Sequence, residues 1–114
     1  MTEFTVNNPY KRFVLSQDEP SLGYCRNSES ITFNKGDLVI VEAGSALTSG
    51  SIVMIDSRGT RKLCRYEVIH GNKYLWPPPL GTDPLSYESL IVGKVVEHIS
   101  LSKWLDLTSG TSQN

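Results

Sequence analysis

The 114-residue chain is short of most of the residues that would reveal its chemistry. It has two cysteines, Cys25 and Cys64, and two histidines. That is too few and too scattered for a zinc site, which needs about four ligands in closely spaced pairs. No cofactor is implied by any motif, and Asp37, Glu42 and Asp56 lack metal-ligand spacing. Net charge is −1, from 11 basic and 12 acidic residues. A nonspecific nucleic-acid or membrane-surface binder needs an excess of Lys and Arg, so direct DNA binding is not expected. The local group Arg58, Arg61, Lys62 and Arg65 reads as solvated positions of a turn and strand. There is no apolar h-region in MTEFTVNNPYKRF and no run near the ~20 apolar residues of a membrane span. The expected location is a reducing cytoplasm with both thiols free. A phosphate-binding Gly-rich loop and a helix-turn-helix pattern are also missing.

What remains is a β pattern. At 39% hydrophobic and 20% charged, the chain has the composition of one globular domain able to bury a core without staples. Short strands bounded by turn signals are predicted at 11–15, 22–26, 38–42, 52–56, 61–69, 72–76 and 90–99. Asn34-Lys35-Gly36-Asp37, Ser57-Arg58-Gly59 and His70-Gly71 read as turns, and Gly93 as a bulge or bend. WPPPLGTDPLS, with four prolines, cannot be helix or central strand and must be a surface excursion. Its Trp76-Pro77-Pro78-Pro79 is open to two readings, a polyproline ligand or a rigid loop. LSKWLDL from Leu101 predicts a helical turn docking Trp104 and Leu105, followed by a frayed TSGTSQN.

Four blocks carry a resemblance: Gly36-Asp37-Leu38-Val39-Ile40-Val41, Gly50-Ser51-Ile52-Val53-Met54, Lys73-Tyr74-Leu75-Trp76-Pro77 and Ile91-Val92-Gly93-Lys94-Val95-Val96. In this order and spacing the chain resembles the C-terminal domain of LexA-type repressors, λ-type phage repressors and UmuD, the Ser-Lys self-cleaving peptidases. The resemblance spans residues 22–99. It implies a mostly-β fold of short twisted strands with little helix. It divides the chain into an arm with one short strand (1–21), the peptidase-like domain (22–100) and a tail (101–114).

In that family the nucleophilic serine lies eight residues before the Gly of Gly-Asp, which here is Ser28. Its flanking Gly, Asp and Met are replaced, leaving Arg26-Asn27-Ser28-Glu29. An ungapped count back from Lys73-Tyr74-Leu75-Trp76-Pro77 places Cys64 where the family has its base lysine. A serine needs a neighbouring base to take its proton, and the lysine of a dyad must be desolvated enough to be neutral. A thiol does not replace it. Lys62 shares a face with Cys64, but using it as a fallback base means sliding the strand by roughly 6–7 Å. No Ala-Gly or Cys-Gly bond precedes Ser28, and Gly23 is too close to loop back. Ser28 is thus open to two readings, a vestigial nucleophile or a turn serine. Cys64 is likewise a small buried hydrophobe or a redox-sensitive thiol.

The resemblance therefore implies a catalytically inactive member that acts by pairing with itself or with a LexA-type or phage repressor. Such a chain would be an antirepressor-like regulator of phage or plasmid origin, or the oligomerisation domain of a repressor. The initiator-like start and polar end favour a stand-alone product. Candidate interaction residues are Leu90, Val92, Lys94 and Val96 on the long apolar strand, with Trp76 and Pro77. Two alternatives stay open: an active autopeptidase using Ser28 and Lys62, and a UmuD-like accessory subunit of an error-prone DNA polymerase.

Overall fold

A computed structural model describes residues 8–81, 83 and 86–109 of the chain. The end expected to fray lies mostly outside them, at 110–114. The fold is mostly β. A six-stranded antiparallel sheet has the order β1-β4-β8-β5-β6-β7, and β2 and β3 form a separate hairpin. The strands are β1 Tyr10–Val14, β2 Glu19–Arg26, β3 Glu29–Phe33, β4 Leu38–Glu42, β5 Ile52–Ser57, β6 Thr60–Ile69, β7 Asn72–Trp76 and β8 Ile91–Ile99. The described residues also form two helices, α1 Tyr87–Leu90 and α2 Leu101–Ser109.

Three hairpins close through two-residue turns whose central residues both have positive φ: Asn27-Ser28, Arg58-Gly59 and His70-Gly71. That conformation matches the twist of the flanking strands. Two of these turns were legible from glycine. The third has none, and sequence pattern accordingly left β3 unassigned.

The middle of the sheet is covered on both faces, which explains the continuous apolar run of β5 (IVMI) where a half-buried strand would alternate. On one face Val39, Val41, Met54 and Leu63 pack under the β2–β3 hairpin with Leu22 and Phe33. On the other, Val53, Ile55, Cys64 and Tyr66 pack with Leu75 and with Tyr87 of α1. Each such aliphatic side chain taken from water contributes about 1.5–3 kcal/mol. The two faces of β6 alternate as its sequence predicts, Leu63 to one cluster and Cys64 and Tyr66 to the other.

The hairpin is fastened to the sheet by a buried carboxylate. Glu19 is 5% exposed, and its Oε2 accepts the Leu63 N–H at 3.1 Å. Since β7 pairs only with Arg65–Ile69 of β6, this N–H has no strand partner on that side. Glu19 supplies the missing acceptor, which extends β2 upstream of the predicted start at Leu22.

Candidate functional site

Ser28 sits at the tip of the β2–β3 hairpin, exposed, with φ +69°. Cys64 is fully buried in the cluster on the opposite face of the sheet from that hairpin. Its thiol donates to the Pro77 carbonyl oxygen at 3.2 Å. Burial pushes the Cys64 pKa up to about 11; neighbouring Lys62 opposes this shift and Glu19 adds to it. Lys62 follows the same alternation as Cys64, away from the hairpin. The structure therefore brings Lys62 and Cys64 together and leaves Ser28 apart from both, across the thickness of the sheet. A thiol held neutral and inaccessible is neither a base nor a ready nucleophile. With Ellman's reagent at pH 7.5, the folded protein is expected to release one equivalent, from exposed Cys25. A second should appear only on denaturation. Two equivalents released at the same rate from folded protein would contradict this burial.

The interaction residues predicted on the long apolar strand need correction in two respects. Leu90 ends α1 instead of starting β8, and it packs against the Tyr87 cluster. β8 itself is an interior strand, paired to β4 from Leu38↔Ile99 to Glu42↔Lys94 and to β5 from Val53↔Lys94 to Ile55↔Ile91. Its side chains are mostly half-buried, with Val96 and Glu97 exposed, and the strand is shared between its neighbours, residues 94–99 pairing with β4 and residues 91–94 with β5. Val92 packs against the core, and Lys94 lies opposite Glu42. Of the six candidates, Val96 at 44% and Trp76 at 51% exposure are the ones that present large apolar surface, with Pro77 half-buried. Among the described residues, the outer strands of the six-stranded sheet are β1 and β7.

The densest grouping of polar chemistry is one that sequence reasoning missed. His98 Nε2 lies 2.8 Å from Asp37 Oδ2, and His98 Nδ1 lies 2.8 Å from Tyr24 Oη. The His98 and Asp37 side chains are 5% and 4% exposed. An ionised carboxylate only accepts, so Nε2 carries a proton, and in the neutral ring Nδ1 accepts from the Tyr24 hydroxyl. Asp37 also accepts the Asn34 N–H at 2.9 Å on Oδ2 and the Leu101 N–H at 3.0 Å on Oδ1. Burial works to raise the Asp37 pKa. The His98 hydrogen bond, the Asn34 and Leu101 N–H groups and the His98 charge outweigh it and hold the carboxyl below its ordinary range. The Tyr24 phenol is shifted the other way, raised by burial, with Arg26 opposing and Asp37 adding.

This constellation resembles a relay in outline, but its outer group is a phenol made harder to ionise. What it does physically is tie together β2, the Asn34–Asp37 turn, β8 and the start of α2. Beside it Gly36, at φ +92°, accepts the Trp104 indole N–H at 2.9 Å. A Cβ at Gly36 would lie 2.9 Å from Leu101 Cδ2. The Gly-Asp landmark is thus the dock of the C-terminal helix. The one available sequence signal was a histidine on an apolar strand, and its partners lie 61 and 74 positions away.

A cavity of about 390 Å³ opens between β7 and α1, lined by Tyr66, Leu75, Tyr87 and Ile91. Its rim carries the exposed Lys73–Glu88 ion pair, Nζ to Oε2 at 2.6 Å. Among the described residues, no group of three or more His, Cys, Asp and Glu is placed to hold a metal, and no helix is long and apolar enough to cross a membrane. No protein-family model, curated protein or solved structure matches this chain.

Proposed function

We propose that this chain is a non-enzymatic pairing module that acts by associating with itself or with a repressor domain of the LexA or phage-repressor kind. The observation that carries the non-enzymatic reading is the separation of Ser28, on an exposed hairpin tip, from Cys64 and Lys62 on the other face of the sheet. No strand slippage within β6 restores the pair, because a two-residue slide keeps every side chain on its own face. The pairing reading draws on the exposed aromatic and aliphatic residues at the edge of the sheet, Trp76, Tyr74 and Ile69. The LexA-type partner rests on the order and spacing of the four sequence blocks.

The test is to incubate the purified protein alone, and with a RecA filament and a LexA-type repressor, following both cleavage and complex formation. The expected result is an intact chain that co-elutes with the repressor or with itself on gel filtration, identically for wild type and Ser28→Ala. Cleavage that Ser28→Ala abolishes would overturn the proposal in favour of an autopeptidase. Co-purification with a polymerase subunit and not with a repressor would overturn the choice of partner.

A further inference from the structure

We propose that the outer edge of β7 pairs with β7 of a second copy, antiparallel about a two-fold axis through Tyr74, joining two six-stranded sheets into one. This rests on the reading of the chain as a pairing module and names the surface that does it.

The argument begins with what each sheet edge does to protect itself. An exposed edge strand offers unpaired N–H and C=O groups, and charged side chains are the usual guard against association. β1 carries that guard. Overlapping the whole of Tyr10-Lys11-Arg12-Phe13-Val14 on a copy of itself sets Arg12 directly against Arg12, and like charges directly opposite are destabilising. β7 lacks it. In the register that overlaps all of Asn72–Trp76, Tyr74 meets Tyr74, Lys73 meets Leu75 and Asn72 meets Trp76. No charge faces its like, and the strand's one charge, Lys73, already has its counter-ion in Glu88. Among the described residues, no backbone hydrogen bond reaches the outer side of β7.

The side chains agree with the backbone. Tyr74 is 43% exposed and Trp76 51%, and they share a face, opposite Glu67 and Arg65 of β6. Those two charges are paired with each other at 3.8 Å, so the strip behind the aromatics is neutral. The β2–β3 hairpin covers the Leu63 end of this face and leaves the aromatics open. Tyrosine and tryptophan supply large contact area at low entropic cost, and they dominate the energetics of such patches.

The decisive experiment is sedimentation equilibrium on the full chain over a wide concentration range, comparing wild type, Tyr74→Arg and Arg12→Ala. In parallel, Tyr74→Cys in a Cys25→Ser background reports on the axis, because directly opposite residues bring their Cβ atoms within about 4.5–5.5 Å. We expect a reversible wild-type dimer, weakened by about tenfold or more in Tyr74→Arg, where two guanidinium groups face across the axis. Arg12→Ala should leave it unchanged. The Tyr74→Cys chain should cross-link on mild oxidation, and Trp76 emission should shift to the blue with concentration in a Trp104→Phe background. A wild-type dimer indifferent to Tyr74→Arg would overturn the assignment of the edge while leaving the pairing module standing. A wild type that stays monomeric and a Tyr74→Cys chain that does not cross-link would overturn self-pairing through β7. The repressor arm of the earlier experiment then judges the module on its own.

Discussion

Asp37→Ala is expected to destabilise the fold by about 3–5 kcal/mol, the scale for removing one partner of a buried charged network. Three donors lose their acceptor at once: the Asn34 and Leu101 N–H groups and His98 Nε2. The first closes the turn into β4, the second caps α2, and the third sits in a site too buried for water to replace the carboxylate freely. Against a total stability of roughly 5–15 kcal/mol, the loss should show as a fall of well over about 10 °C in melting temperature for a domain of this size. The pH dependence follows from the direction of the Asp37 shift. Its folded pKa is depressed, so its contribution is fully present above the unfolded value of about 3.9 and is lost as pH falls through the folded value. Denaturant midpoints should therefore drop below about pH 4 in wild type and drop less steeply in Asp37→Asn. A variant as stable as wild type, or one with an unchanged acid profile, would show that the network carries no net energy.

How much of this was legible in the sequence depends on how far the cause lies from the effect. β4 and β7 have the predicted limits, and β5 and β6 differ from prediction by one residue, because β-branched runs and glycine turns are local facts. The β2–β3 hairpin was hidden by a turn built from Asn27 and Ser28, where both residues accept positive φ without glycine. The serine in that turn attracted a catalytic reading for its distance from Gly36. α1 spans four residues, too few for a helical period to declare itself. α2 extends past the single predicted turn because Asp37 and Gly36, more than sixty positions away, satisfy its first N–H and anchor Trp104.

The apolar strand β8 is instructive in the opposite sense. Its composition was read as a pairing surface, whereas the strand order puts it between β4 and β5 with most of its side chains half-buried. The true edges are two five-residue strands whose sequences, YKRFV and NKYLW, look unremarkable in isolation. Only the strand order distinguishes them from the interior. The Tyr24–His98–Asp37 network is illegible for the same reason, since it depends on a register, Val39↔His98, that no local pattern encodes.

Gly93 shows where a motif and its cause meet, and it carries the second large expected effect. The pairing of β8 with β5 is irregular beside this residue, with a register shift between Met54, opposite Gly93, and Ile55, opposite Ile91; the pairing with β4 shifts farther along, between Ile40, opposite Glu97, and Val41, opposite Val95. A Cβ built on Gly93 would lie 2.6 Å from the Glu42 carbonyl oxygen, 2.7 Å from Val41 Cγ1 and 2.8 Å from the Glu42 carbonyl carbon. Two of those atoms are backbone of the adjoining strand and cannot rotate aside. Gly93→Ala must therefore push β8 away from the end of β4. We expect a cost of about 3 kcal/mol, at the upper end of the range for overpacking a buried site. Val96→Ala, on the same strand but exposed, should stay within about 0.5 kcal/mol. Urea denaturation of the two variants beside wild type distinguishes the cases, and equal midpoints for all three would mean that β8 yields at Gly93 without strain. If the cost appears, the glycine of the Ile91-Val92-Gly93-Lys94 block is explained by close approach of two strands. The block would then be a landmark of packing and not of chemistry, as Gly36-Asp37 is at the opposite end of β4.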